Sequence, residues 1–353
     1  MKVLTVVGAR PQFVKAFPVS RALRRDHEEV LVHTGQHYDD ELSAVFFDEL
    51  DIPEPDHHLG VGSGSHAVQT GEMLLRLDDV IDRESPDALL LYGDTNSTLA
   101  GAVAGSKRDV TLVHVEAGLR SYNRSMPEEI NRVVTDHVAD VLFAPTDAAA
   151  VNLLDEGVTA DVHVTGDVMY DAILWARGRA AEHSTVVADL GLTDGEYVLA
   201  TVHRAGNTDD PDRLEAIVAA FERLDREVVL PAHPRTVERL DEFDLASRAH
   251  DAVRLVDPVG YLDFVRLLDG AERVATDSGG VQKEAFFLDT PCVTLRDETE
   301  WTETVDAGWN ELAGADTDAI VAGLTREWTP TGKPEPYGDG TAAETIAGLL
   351  DDA

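Results

Sequence analysis

Short strand-like runs alternate with amphipathic helical patterns over almost the whole chain, and no other feature restricts the possible folds so sharply. Apolar runs at 3–7, 30–33, 88–92, 111–115 and 141–144 are each of strand length. Helical patterns at 15–24, 40–50, 67–81, 97–105 and 128–138 separate them, and 60–65 is a Gly/Ser-rich loop. A further helix and strand reach Val164, a polar segment covers 182–196, and the pattern restarts with runs at 197–201, 227–230, 253–256, 273–275 and 292–295. A strand that returns through a helix runs parallel to its predecessor, so the alternation predicts parallel sheets covered on both faces. A length of 353 residues exceeds one ordinary core and fits two domains. We expect an N-terminal domain over 1–170, completed by a C-terminal helix within 340–353, and a second domain over 171–339. Candidate site residues fall at strand ends in both halves, which predicts one cleft between two facing domains.

The longest apolar runs fall far short of the ~20 residues of a membrane span. The chain enters its first strand at Val3 without the basic stretch and apolar core of a signal peptide,. Cys292 is the single cysteine, which excludes an internal disulfide and fits a reducing interior. A soluble cytoplasmic protein is expected, without a membrane partner. Asp and Glu number 67 against 29 Lys and Arg, a formal charge of −38. That excess disfavours nucleic acid and anionic membranes as partners. The acids are spread along the chain, as at Asp209, Asp210, Asp212 and Asp225, and only five of the cations are lysines. Adaptation to a high-salt cytoplasm, where the ~8 Å Debye length shrinks further, is the sharper reading; an ordinary acidic surface is the plainer one. Lys15 and Lys283 are then cations retained beside motifs.

The segment Thr-Asp-Ser-Gly-Gly-Val-Gln-Lys-Glu at 276–284 follows one of the predicted strands and opens a helical pattern. A strand turning through Ser278, Gly279 and Gly280 into a helix aims free amides and the positive end of a helix dipole at one point. Glycines there let an anion approach the backbone and tolerate unusual dihedrals. Glu284 lies one and a half turns further on, within reach of hydroxyls beside such an anion. A capped structural helix explains the Ser-Gly-Gly alone; with the glutamate, a nucleotide sugar becomes the working hypothesis.

Other candidates occupy equivalent positions. Arg10 closes the first strand in Gly-Ala-Arg-Pro, with Lys15 a turn later, giving a planar fork and a point charge for phosphate. Asp94, in Gly-Asp-Thr-Asn-Ser, is either an N-cap or a functional acid. Glu116 follows a buried strand and is poorly explained by capping. Glu128 and Glu129 open a helix behind Pro127; one complements the helix dipole and the other is spare. Such crowded acids would raise one another's pKa, which suits proton transfer. His203 and His233 end strands of the second half and face the predicted phosphate site, whereas His57, His58 and His66 read as surface residues. No Cys/His spacing suggests zinc, and neither a P-loop nor a dinucleotide fingerprint follows the first strand. No metal or nicotinamide cofactor is expected.

Taken together, these segments resemble the non-hydrolysing UDP-N-acetylglucosamine 2-epimerases. The resemblance is carried in order by Gly8-Ala9-Arg10-Pro11 with Lys15, Thr34-Gly35-Gln36-His37, Gly93-Asp94-Thr95, His114 to Arg120, Pro127 to Arg132, Val164 to Asp167, Thr201 to Arg204, His233-Pro234, Thr276 to Glu284 and Glu298-Thr299-Glu300. It implies a GT-B fold of two Rossmann-like, doubly wound α/β domains facing a central cleft, a homodimer, no metal or NAD, and a place in polysaccharide biosynthesis. It also implies elimination of UDP across C1–C2 of UDP-GlcNAc to 2-acetamidoglucal, then readdition to give UDP-ManNAc. By position, Arg10, His233, Ser278, Gly279 and Gly280 would hold the diphosphate, Glu284 the ribose, and Tyr261 the uracil. Asp94, Glu116 and Glu128 would be the acid/base set, supported by Lys15 and His203. Gln36 and His37 match the region where some bacterial relatives bind a second, activating UDP-GlcNAc. The chain departs from the family pattern at Glu300-Trp301-Thr302-Glu303, where many relatives continue Thr-Glu with Arg-Pro-Glu, and at Tyr38-Asp39-Asp40; the first loses a cation near the nucleotide. A hydrolysing epimerase, a GT-B glycosyltransferase, a UDP-sugar-binding regulator and a diacetamido or uronate substrate are the alternatives.

Overall fold

A computed structural model describes residues 1–36, 53–327 and 332–350, with Arg10 described by its backbone alone. His37, the side chain of Arg10 and the helix expected at 40–50 lie outside the described residues. The chain divides into two compact units, one of residues 1–172 with 335–353 and one of residues 173–334.

The first unit is built on a seven-stranded sheet in the order β3-β2-β1-β4-β5-β6-β7. Its strands are β1 (Lys2–Val7), β2 (Glu28–His33), β3 (His57–His58), β4 (Ala88–Tyr92), β5 (Thr111–Val115), β6 (Val141–Ala144) and β7 (Asp161–Val164). Every pairing is parallel. The central strands are apolar along their length because helices cover both faces, and Leu4, Val6, Leu89, Leu90 and Leu91 are fully buried,. The strand order reverses between β1 and β4. At such a switch point the flanking crossovers leave on opposite faces and open a crevice at the strands' carboxyl ends. Gly8 and Gly93 follow those two strands. The helix Ala342–Leu350 packs on the helix Arg10–Leu23. Its first amides, of Ala342 and Ala343, donate to Asp171 at 3.2 and 2.9 Å.

The second unit has a six-stranded parallel sheet in the order β10-β9-β8-β11-β12-β13. These strands are β8 (Tyr197–Thr201), β9 (Glu227–Pro231), β10 (Arg254–Val256), β11 (Arg273–Thr276), β12 (Cys292–Thr294) and β13 (Asn310–Leu312). Its order reverses between β8 and β11, so His203 and Ser278 follow the two strands of its switch point. Val198, Ala200, Val228 and Leu230 form part of its core.

Two features differ from the sequence reading. The edge strands β3 and β13 are two and three residues long and mostly polar, too short and hydrophilic to stand out as apolar runs. The polar segment at 182–196 contains the end of the helix Val168–His183 and the short helix Val186–Asp189. Among the described residues, no helix is long and apolar enough to cross a membrane.

Candidate functional site

At the first switch point, buried Gln12 stitches two strand ends together. Its Oε1 accepts from the amides of Gly8 and Ala9 at 2.9 and 3.1 Å, and its Nε2 donates to the carbonyl of Tyr92 at 2.8 Å. Gly8 has no room for a side chain. Thr34 and Ser97 hydroxyls sit about where its Cβ would be and lie 2.8 Å from each other. Gln36 Oε1 accepts from the amide and hydroxyl of Ser97 at 2.9 and 2.7 Å. The loop to Gln36 is backed by His33, which stacks on His58 at 4.3 Å and on Phe13 at 5.0 Å and accepts from the Gly35 amide. Burial, with neighbouring His58, lowers the His33 pKa to about 4, so this ring is a neutral acceptor.

Two ion pairs flank Gly93. Lys15 Nζ pairs with Glu116 Oε2, and Arg132 pairs with Asp94. Burial pulls the Lys15 pKa down, but the carboxylates of Glu116, Asp94 and Asp167 outweigh it and hold the pKa above the ordinary lysine value, so Lys15 is a fixed cation. Glu116 has a left-handed backbone, φ 71°, a conformation that costs a non-glycine residue about 1–2 kcal/mol. Its amide and that of Ala117 both donate to the Phe143 carbonyl at 3.1 Å, which fixes the turn that aims the carboxylate at Lys15. Behind it, Asp136 binds His114 Nδ1 at 2.7 Å, the Gly118 amide at 3.1 Å and Arg120 at 2.7 Å. Arg120 in turn grips Glu156 through two 2.7 Å contacts. Burial works to raise the Asp136 pKa, yet His114 and Arg120 hold it below the ordinary value. His114 Nε2 reaches the Gly93 carbonyl at 2.8 Å, which links this buried network to the paired site.

The acids are therefore separated by counter-ions rather than crowded together. Glu129 is committed to structure: it accepts from the Ser121 amide and hydroxyl and from the Tyr122 amide at 2.8–2.9 Å. Against its burial, those hydrogen bonds and Arg132 keep its pKa low. Glu128 is exposed and, among the described residues, has neither an ion pair nor a hydrogen-bond partner. Glu128, Asp94, Gln36, His66 and Asn131 line one cavity of about 430 Å³. His66, read from the sequence as a surface residue, thus belongs to the site wall, 3.1 Å from Asn96 Nδ2. His57 pairs with Glu84 at 2.8 Å. A larger cavity of about 770 Å³, lined by Asp82, Asp87, Arg108 and Asp140, opens at the amino ends of β4 and β5. Parallel sheets bind ligands at the opposite end, so the smaller cavity is the candidate.

In the second unit, fully buried Asp277 organises the turn after β8. It accepts from the amides of His203 and Arg204 and from Asn207 Nδ2 at 3.0–3.1 Å, and it lies 3.3 Å from His203 Nδ1. Ser278 caps the helix Gly279–Phe287. Neither Gly279 nor Gly280 has a positive φ, so the expected use of unusual dihedrals is not what the glycines supply. Gly279 supplies space: a Cβ there would come within 2.7 Å of Glu300 Oε1. Tyr261 and Glu284 are brought together, hydroxyl to carboxylate at 3.5 Å. His233 is exposed and caps the helix Pro234–Glu242, its Nδ1 accepting from the Arg235 amide at 3.2 Å. Sequence reasoning passed over Gln12, Asp136, Asp277 and Gln282. Each is a buried polar residue, Asp277 and Gln282 within the motif at 276–284 and Gln12 and Asp136 close to other motifs, and that position is the one signal that could have found them.

The profile of the family described as UDP-N-acetylglucosamine 2-epimerase matches residues 21–351. A Methanococcus maripaludis protein named UDP-N-acetylglucosamine 2-epimerase homolog is 48% identical over 99% of both chains. The Pseudomonas aeruginosa UDP-2,3-diacetamido-2,3-dideoxy-D-glucuronate 2-epimerase is also 48% identical over 99% of each. The structure of UDP-GlcNAc 2-epimerase from Methanocaldococcus jannaschii superposes with a TM-score of 0.90 at 40% identity, covering both chains completely. Its complex with UDP-GlcNAc and UDP superposes with a TM-score of 0.84 at the same identity and coverage.

Proposed function

Because the chain belongs to the UDP-N-acetylglucosamine 2-epimerase family, we propose that it interconverts UDP-GlcNAc and UDP-ManNAc by eliminating UDP across C1–C2 and adding it back. No carbonyl acidifies the C2 proton of UDP-GlcNAc, so its direct removal would leave an unstabilised carbanion. Breaking the C1–O bond to UDP first draws electron density towards C1 and makes that proton removable. The base takes it, the C1–C2 double bond forms, and UDP leaves with the bonding electrons. Readdition delivers a proton to C2 from the other face and returns UDP to C1.

The observation that carries this reading is the pair of ion-paired carboxylates flanking Gly93, Glu116 on the fixed cation Lys15 and Asp94 on Arg132, with Glu128 sharing a cavity wall with Asp94. Glu116 and Asp94 are held by Lys15 and Arg132, and unpaired Glu128 stands on the same cavity wall as Asp94; these supply base and acid to the sugar ring. We assign the diphosphate to Ser278, Gly279, Gly280, Arg10 and His233, the ribose to Glu284 and the uracil to Tyr261. His203, oriented by Asp277, supports charge building on the departing phosphate. Gln36 is assigned to the wall of the sugar cavity. The M. jannaschii relative's complex with UDP-GlcNAc and UDP supports the substrate class.

A second reading, a 2,3-diacetamido-uronate sugar, is favoured by the 48% identity to the P. aeruginosa enzyme. We also assign a homodimer. A groove of about 230 Å³ is lined by Tyr122, Ile130, Val133 and Val134, and Tyr122 is 73% exposed. Ile130→Asp should then yield a monomer by light scattering.

Incubation with UDP-GlcNAc alone tests the activity. A mixture of two UDP-sugars with no accumulating UDP supports the proposal. Stoichiometric UDP with free ManNAc indicates a hydrolysing enzyme, and no reaction without an acceptor indicates a transferase. A parallel incubation with the diacetamido-uronate nucleotide separates the two substrates.

A further inference from the structure

The Ser278 turn has a neighbouring donor to which the sequence reading gave no role. The indole Nε1 of Trp301 is buried and, among the described residues, has no hydrogen-bond partner. A buried donor left unpaired is costly, and its persistence calls for an explanation. The ring is held in place: the Lys283 ammonium lies 4.2 Å from its centroid. The Trp301 amide donates to Thr299 Oγ1 at 3.2 Å, that hydroxyl donates to Gln282 Oε1 at 2.6 Å, and Gln282 Nε2 donates to the Ser278 carbonyl at 3.3 Å. Hydrogen bonds thus tie the tryptophan to the turn itself.

The indole nitrogen lies beside the first turn of the helix. A Cβ on Gly279 would lie 3.5 Å from Trp301 Nε1 and 3.6 Å from Arg204 Nη2. First-turn amides have no intrahelical acceptor. The exposed Arg204 guanidinium makes no ion pair among the described residues. An anion placed at Gly279 therefore meets backbone amides, a guanidinium and the indole together. The nearest atom to that Cβ is Glu300 Oε1, at 2.7 Å, so an anion bound there displaces this carboxylate, whose Oε2 is 3.0 Å from Arg296 Nη1.

We propose that Trp301 is a phosphate-binding residue, its indole N–H donating to the diphosphate of the nucleotide. This rests on reading the Ser278 turn as the UDP site. Trp301→Phe keeps a ring for Lys283 to stack on and removes the donor; β-(3-benzothienyl)alanine at position 301 does the same without leaving a void. Calorimetric titration should show either variant binding UDP about 10- to 150-fold more weakly, the scale of one hydrogen bond to a charged group, and uridine as tightly as the parent. Unchanged UDP affinity, or equal losses for UDP and uridine, would overturn the role of Trp301. Ser278→Ala separates the two ideas: if it weakens UDP while both Trp301 variants do not, only the Trp301 proposal fails. If no variant weakens UDP, the UDP site lies elsewhere.

Discussion

Lys15 and Glu116 form a partly buried ion pair whose charged atoms occupy the space beside Gly93: a Cβ on that glycine would lie 3.3 Å from Nζ and 3.4 Å from Oε2. Gly93 also has φ 60°. The glycine is thus required twice, for a left-handed backbone and for the space that the ion pair fills. Gly93→Ala should cost about 1–2 kcal/mol of stability from the backbone alone and should lower kcat by displacing the pair. Urea unfolding and steady-state kinetics check both halves; an alanine variant with parental activity would show that the pair's position is not critical.

Glu116→Gln keeps the size of the side chain and abolishes its charge and basicity. We expect UDP affinity to stay within a few-fold while kcat falls by roughly 100-fold or more, the usual scale for an acid/base group. Near-parental turnover would make Glu116 a structural partner of Lys15 and pass the proton chemistry to Asp94 or Glu128.

Asp171 supplies a pH dependence to the docking of the C-terminal helix. Burial raises its pKa from 3.8 to about 6, against the pull of the Ala343 and Ala342 amides. Because the folded-state pKa lies above the unfolded one, the contribution is fully present below about pH 4 and is lost as the pH rises through 6. Relative to an Asp171→Asn variant, which does not titrate, the parent should lose up to about 3 kcal/mol between pH 4 and 7. Thermal melts of both proteins across that range measure it; a constant difference would refute the shift.

Much of the architecture was legible because parallel strands buried on both faces read as uninterrupted apolar runs. Ala88–Tyr92, Thr111–Val115, Val141–Ala144 and Tyr197–Thr201 stand in the structure as the sequence spaces them. The glycines at strand ends were legible for the same reason, since they punctuate those runs. What escaped was set by tertiary contact. The positive φ of Glu116 depends on the Phe143 carbonyl, and the commitment of Glu129 depends on Ser121 and Tyr122. The roles of Gln12 and Asp277 exist only once two distant strand ends are side by side.

The surface carries a separate expectation. If the net charge of −38 reflects adaptation to high salt, screening by added salt should relieve self-repulsion. The melting temperature should then climb steadily as KCl rises towards the molar range. A protein equally stable in dilute buffer would leave ordinary acidic solubility as the explanation.

Epimerisation by elimination and readdition requires that the C2 proton leave the sugar and be replaced from solvent. In deuterated buffer, UDP-ManNAc formed from UDP-GlcNAc should carry one deuterium at C2, seen by mass spectrometry and by loss of the C2 proton resonance. Product that retains its original C2 hydrogen in full would contradict elimination and readdition outright.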